Sequence, residues 1–471
     1  MKDHNSVTLK SGVWYTVSNI LLKCISFITT PFFTRLLTKQ EYGDYNNFIS
    51  WQSIVIIFVT LNLEASLISA KFDYKDKFKQ YIFSILTLSS VSTIVWLVLC
   101  NLFMRPLSAF LGIKPIYINL MLIYCIFYAV VNIYQVSKSY LYKYKASVAL
   151  GLGIAFGTAV LSLVLVYCME DGLFGRILGG VLPTILVGVF LYIAIARNGR
   201  SIDFSAWKYA LIVCLPYIPH LLSLTVLNSA DRVMITKICG SEFNALYSVA
   251  YSCGAMVTIL MTSMNSAFSP WLGERLYIKD YAAIKKVSNV YIAGFCYLAI
   301  GIMLFAPEML LIMGGQNYME AKYVMPPVAM GCVCQFLYTM FVNIEQYEKR
   351  TMGMAFASAA AALLNLALNA VFIPAFGYIA AAYTTLMGFL FLLMIHMILV
   401  KRYGYGEVYN YKMVIAVVGV MLLVTGGVNF LYANIVIRIM AILVYAMVMG
   451  VILIKNKESV TGLVKKVFKK D

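Results

Sequence analysis

Asn19, Lys23, Ser26, Thr30 and Thr34 stand at i, i+4, i+7, i+11 and i+15 within an apolar run. On a helix that spacing holds all five on one face. An amide, an ammonium and three hydroxyls can bind and solvate a polar cargo. They form no nucleophile–base pair and no metal site. A second stripe, Thr258, Thr262, Asn265 and Ser269, has a similar character. Stripes of this kind also serve simply as interhelical glue, and both readings stay open for the second stripe. For the first, Lys23 decides: a charge at the centre of a bilayer costs roughly 2.5–3.5 kcal/mol, so it is expected to face a cavity or a partner.

Four further residues could respond to an ion or a gate. Glu64 lies near the inner end of the second apolar segment, and Asp231 and Arg232 at the outer end of the seventh. Each is a coupling or gating charge or a member of a local ion pair. His220 follows Pro216 and Pro219, which remove donors and bend a helix; it either titrates or hydrogen-bonds a freed carbonyl, and the second is favoured. His396 lies in an apolar run and reads as packing, as do Cys332 and Cys334.

These residues need elements to hold them. The chain has 471 residues, 62% hydrophobic and 12% charged, with mean hydropathy +0.84. Soluble domains run about 45–50% apolar and about 25% charged, so many membrane spans are expected instead. They fall at 11–34, 46–69, 80–103, 116–137, 147–168, 173–196, 208–228, 243–269, 287–313, 321–344, 355–374, 379–400, 413–432 and 435–454. The runs are continuous, not alternating, which predicts an all-α polytopic protein of about fourteen transmembrane helices and not a barrel. The opening MKDHNSVTLK lacks the pattern of a cleavable signal.

With both termini cytoplasmic, Lys and Arg crowd the inner segments about threefold over the outer ones. Lys71, Lys75, Lys77 and Lys79, then Lys143 and Lys145, Lys349 and Arg350, and the tail lysines are inner; Arg35, Lys114, Arg176 and Lys237 are outer. The net charge of +17 is therefore a topology signal, and nucleic-acid binding is excluded as its explanation. No Walker loop, zinc-helix motif, nucleophile elbow or dinucleotide fingerprint is present, so the chain is expected not to be an enzyme. No cofactor is expected beyond an H+ or Na+ gradient.

The stretch from Pro31 to Tyr45 has an echo from Val233 to Tyr247, which sets Arg35 against Lys237, Gly43 against Ala245 and Tyr45 against Tyr247. Leu63-Glu-Ala-Ser-Leu and Asn265-Ser-Ala-Phe-Ser match at the same spacing, and Gly172 and Gly377 open corresponding segments. Six helices separate the copies, so they share one orientation and form a parallel repeat. The organisation expected is an N-lobe at 1–196, a cytoplasmic linker at 197–208, a C-lobe at 209–400, and two appended helices with a basic tail at 401–471. Two such lobes around a central site make a rocker-type transporter.

Arg35, Leu36, Leu37, Thr38, Glu41, Tyr42, Gly43 and Tyr45, with the stretch Asn228–Ile235, resemble the bacterial polysaccharide transporters. These are the lipid-linked oligosaccharide flippases of the multidrug/oligosaccharidyl-lipid/polysaccharide superfamily. The resemblance implies a V-shaped central cavity, alternating access, and outward flipping of an undecaprenyl-diphosphate-linked repeat unit for O-antigen, capsule or exopolysaccharide assembly. It also implies the bacterial inner membrane, membrane lipids as surroundings, and a polysaccharide polymerase and glycosyltransferases as partners. Lys23, with Arg35 and Arg232 at the outer rim, would suit the diphosphate. The sequence departs from the pattern at Asn62, where a glycine is expected near the end of helix 2, and at Ala245, where the first repeat has Gly43.

Three other readings compete. A peptidoglycan-precursor flippase of the same superfamily would carry more basic residues in its first helix. A drug or cation antiporter would carry acidic lumen residues, whereas the central charge here is basic. A polysaccharide polymerase or ligase would need a large outer loop, and all loops here are short.

Overall fold

The computed structural model describes residues 2–140, 144–199 and 201–455. Lys143, Arg200 and the tail residues Lys457, Lys465, Lys466, Lys469 and Lys470 lie outside them. The described residues form nineteen α-helices with short 3-10 connections and no strand. Eleven helices are long and apolar enough to cross a membrane, and two bent pairs bring the number to thirteen. A shorter apolar helical stretch, Ile435–Val451, lies at the place of the last expected span.

The first lobe consists of α1 (Lys2–Leu36), α2 (Lys39–Thr60), α3 (Leu67–Asp73), α4 (Phe78–Leu102), α5 (Met104–Leu111), α6 (Pro115–Tyr140), α7 (Tyr144–Cys168) and α8 (Gly172–Gly199). Next come α9 (Phe204–Cys214) and α10 (Ile218–Ile238), which together make the seventh span. The second lobe continues with α11 (Ser241–Gly254), α12 (Val257–Tyr277), α13 (Tyr281–Leu304), α14 (Ala306–Met313), α15 (Met325–Tyr347), α16 (Thr351–Phe376) and α17 (Ile379–Val400). The appended pair is α18 (Tyr411–Leu431) and α19 (Ile435–Lys455).

The doubling is visible in the elements. Lys39 opens α2 and Ser241 opens α11; Met104 opens α5 and Ala306 opens α14, each of these two short helices having eight residues. The seventh span changes partner midway. Ala206, Ala210 and Cys214 of α9 are buried with Leu63, Tyr81 and Ile85 of the first lobe. The chain then turns through the 3-10 segment Leu215–Tyr217, where Pro216 and Pro219 interrupt the helix. Beyond it, Leu227 and Ile235 of α10 join the core of the second lobe. The crossing between lobes thus happens inside the span, downstream of the 197–208 linker.

The resemblance motif has separate structural causes for its residues. Thr38 caps α2 and accepts from the Glu41 amide, while the Glu41 carboxylate accepts from the Thr38 amide at 2.8 Å. Gly43 is a close-approach position: a Cβ there would lie 1.7 Å from the Ser241 carbonyl oxygen. Ala245, its counterpart, is fully buried and carries a Cβ at the matching place. Asn62 sits with Leu61 in the left-handed region, φ +48° and +59°, where the second span bends by 52°. Asn is the non-glycine residue that tolerates this conformation best.

The lobes are joined at the end carrying the α1–α2 and α10–α11 turns. Phe33, Leu37 and Tyr42 of the first lobe belong to the continuous core of the second. There Asn244 Nδ2 donates to the Gly43 carbonyl at 2.9 Å, Ser241 donates to Asp44, and Thr34 Oγ1 donates to the Met313 carbonyl at 2.6 Å.

Candidate functional site

Lys23 reaches from α1 across to α12 and donates from Nζ to Thr258 Oγ1 at 3.1 Å. It lines a cavity of about 390 Å³, and every other lining residue comes from the second lobe. A second chamber of about 250 Å³ shares Lys23, Arg232, Tyr251 and Thr258 with the first and adds Ser26 and Thr30 from α1. Of the stripe on α1, Lys23, Ser26 and Thr30 thus border these chambers. Asn19 is exposed and lies outside the lining of both chambers. Thr34 points instead into the joint between the lobes, on the Met313 carbonyl.

Arg232 is the second cation of this site. The sequence suggested the outer rim for it because the apolar run fades after Leu227. The helix in fact continues to Ile238, so Asp231 and Arg232 both lie inside the span. Successive helix positions point about 100° apart, and here they serve different surroundings. Arg232 lines the cavity, stacks over the Tyr251 ring with its guanidinium carbon 4.6 Å from the centroid, and donates to the Asn228 carbonyl at 3.3 Å. Among the described residues lining the two chambers there is no Asp or Glu; Asn228, Ser229, Thr258, Thr262, Gln335 and Thr385 supply neutral hydrogen-bonding groups.

Asp231 turns the other way, into the second lobe, and is 1% exposed. Its Oδ2 accepts from Tyr247 at 2.6 Å and Thr385 at 2.5 Å, and its Oδ1 accepts from Asn369 at 2.7 Å. Asn369 and Asn365 are linked at 3.2 Å, Asn365 donates to Thr385 at 3.0 Å, and Thr384 donates to Asn369. One carboxylate thus organises α10, α11, α16 and α17. Thr385 also lines the cavity, so the network and the cavity share a wall.

Several expected site residues have other surroundings. Arg35 is not at the cavity: it donates to the Pro31 carbonyl at 2.7 Å and to the Ile312 carbonyl at 3.2 Å. Asn265 accepts from Asn343 at 2.8 Å, which ties α12 to α15. Glu64 accepts from Asn132 at 2.6 Å in the first lobe, immediately after the left-handed bend at Leu61 and Asn62. His220 lies beside the Tyr217 ring, centroids 5.5 Å apart, and its Nδ1 is buried without a hydrogen-bond partner.

His396 is not mere packing. It is 1% exposed, and its Nδ1 lies 3.1 Å from both carboxylate oxygens of Glu345, itself fully buried. Tyr338 stacks on the imidazole at 5.7 Å. Glu345 escaped the sequence reading because it falls one residue past the segment 321–344. Asn365 and Asn369, four apart in an apolar run, were a legible signal of a polar face on α16.

Comparison with known proteins adds the following. The family described as "Polysaccharide biosynthesis protein" matches residues 8–275, and the MatE family matches residues 216–371. A Haemophilus influenzae protein of the Lsg locus is 22% identical over 375 residues, covering 76% of this chain and 89% of that protein. In structure, the chain is similar to the lipid II flippase MurJ in an inward closed conformation. That likeness has a TM-score of 0.66 at 11% identity and covers 94% of this chain and 99% of that one. An inward-facing multidrug resistance MATE family transporter of the MOP superfamily gives a TM-score of 0.60 at 14% identity, with 84% and 95% covered.

Proposed function

The chain belongs to the polysaccharide biosynthesis protein family, and from that premise we propose that it flips a diphosphate-linked oligosaccharide lipid across the membrane. It is a transporter of the polysaccharide-precursor type within the MOP superfamily, a multi-pass membrane protein and not an enzyme. The proposed cargo is an undecaprenyl-diphosphate-linked repeat unit, moved from the cytoplasmic to the outer leaflet of a bacterial inner membrane. Glycosyltransferases would supply it and a polymerase would consume it.

The observation that carries this reading is the convergence of Lys23 and Arg232 on one cavity with no acidic residue among the described residues that line it. Two cations facing one cavity repel each other, and an anionic group bound there offsets that repulsion. A diphosphate suits an ammonium and a guanidinium together, the latter through its planar fork of donors. The amides, hydroxyls and rings beside them, among them Gln335, Thr262, Tyr251 and Phe389, suit sugars. A cationic drug would meet repulsion in the same space, which disfavours the antiporter reading.

Coupling to H+ or Na+ is proposed at Asp231. It is a buried carboxylate sharing a wall with the cavity through Thr385, so a change in its charge would alter the helices that line the site. Glu64 is a second candidate, in the first lobe, held by Asn132 beside a bend. The lobes joined at the α1–α2 end would be closed toward the outside in the orientation expected from the basic residues.

The experiment is deletion in a strain with no redundant flippase, followed by leaflet-specific analysis. The reading requires lipid-linked repeat units retained on the inner leaflet and no surface polymer. Normal surface polysaccharide would refute it.

A further inference from the structure

We propose that Arg35 and Lys237 form a matched pair of latches that hold the two lobes together at the α1–α2 end, each grasping the short helix of the opposite lobe. The argument begins with their positions. Arg35 is the next-to-last residue of α1 and Lys237 the next-to-last of α10. The two occupy equivalent places in the internal repeat, as the echo of 31–45 in 233–247 indicates.

Their targets are equivalent as well. Arg35 donates to the carbonyl of Ile312, the seventh residue of α14, at 3.2 Å. Lys237 lies over the ring of Phe110, the seventh residue of α5, with Nζ 3.9 Å from the centroid. Trp51 flanks the same ammonium at 5.8 Å. A basic residue of the first lobe thus holds the second lobe's short helix, and the reverse. The chemistry differs between the two: Arg35 meets the negative end of a helix, where carbonyls lack partners, and Lys237 meets an aromatic face.

The form of these contacts fits a device that opens in each cycle. Both cations are exposed, so either is fully hydrated once released, and separation strands no charge. The packing between them is specific but cannot release so freely: Gly43 lies against Ser241, and Thr34 is buried on the Met313 carbonyl. Two weak charged contacts on either side of a close-fitting seam let the seam close in one register and still part. The inference rests on the rocking of two lobes and is independent of what they carry.

The test reads conformation without any cargo. Spin labels on p-acetylphenylalanine at Glu170 of the first lobe and Glu320 of the second, both exposed, leave the native cysteines untouched. Electron–electron distances are then measured in lipid nanodiscs. Arg35→Ala and Lys237→Ala should each raise the long-distance fraction about two- to fivefold, and the double variant should combine the two shifts. Arg35→Lys should restore part of the short-distance population. Gly43→Ala, which wedges the same seam, sets the reference for an opened end. A double variant with the wild-type distribution, or a shift from only one of the two residues, while Gly43→Ala opens the seam, would overturn the latch pair. Because no transport is measured, that failure would leave the flippase reading untouched.

Discussion

Lys23 on α1 and Thr258 on α12 meet at 3.1 Å, so the ammonium inside the cavity also bridges the two lobes. The ammonium has three donors and uses one on Thr258, so it can meet a cargo with or without that bond. Thr258→Val should therefore leave transport within about threefold of wild type, since one neutral hydrogen bond contributes about 1 kcal/mol net. Initial flipping rates in proteoliposomes check this. A total loss would mean that the bridge, and not the cargo contact, is what matters.

Arg232 offers a fork of donors where lysine would offer a point charge. Arg232→Lys should weaken cargo affinity about tenfold, and Arg232→Gln further still. Raised salt should affect Arg232→Gln less than the wild type, because that variant has lost the cation, whereas Arg232→Lys keeps its charge and should stay salt-sensitive. Equilibrium binding at two ionic strengths gives the answer.

Asp231 accepts from Tyr247, Thr385 and Asn369. Asp231→Asn keeps the shape but removes the charge. The expected variant binds cargo yet transports at one rate whether an H+ or Na+ gradient is applied or collapsed. Transport that still follows the gradient would remove Asp231 from coupling.

Glu345 and His396 are buried partners. Glu345→Ala leaves the imidazole without its acceptor and should destabilise the protein by about 2 kcal/mol. Thermal unfolding in detergent should register a clear fall in melting temperature. An unchanged midpoint would show that water or a neighbour replaces the carboxylate at no cost.

The spans were legible because twenty apolar residues in a row have few other uses, and their ends agree with α4, α6, α8 and α17 within a few residues. Polar positions were harder. Helical spacing tells which residues share a face, so Lys23, Ser26 and Thr30 were found together. It does not tell what the face meets: Asn265 reads equally as lumen or as interhelical contact, and it is bound to Asn343. Arg35 looked like a substrate contact and holds α14. Hydropathy falls at Asp231 and Arg232 and reads as a helix end, whereas a buried network on one side and a cavity on the other accompany a helix that continues to Ile238. Each miss has the same cause, a partner far away in sequence.

Lys23 and Arg232 are proposed to bind a diphosphate together. The most direct measurement is binding of a short-chain polyprenyl-diphosphate oligosaccharide to the purified protein in nanodiscs, beside the monophosphate and the neutral polyprenol. Wild type should prefer the diphosphate over the monophosphate and bind the neutral lipid poorly. The Lys23→Gln/Arg232→Gln double variant should lose that preference while remaining folded. Equal binding of the neutral lipid by wild type, or an undiminished diphosphate preference in the double variant, would contradict the account.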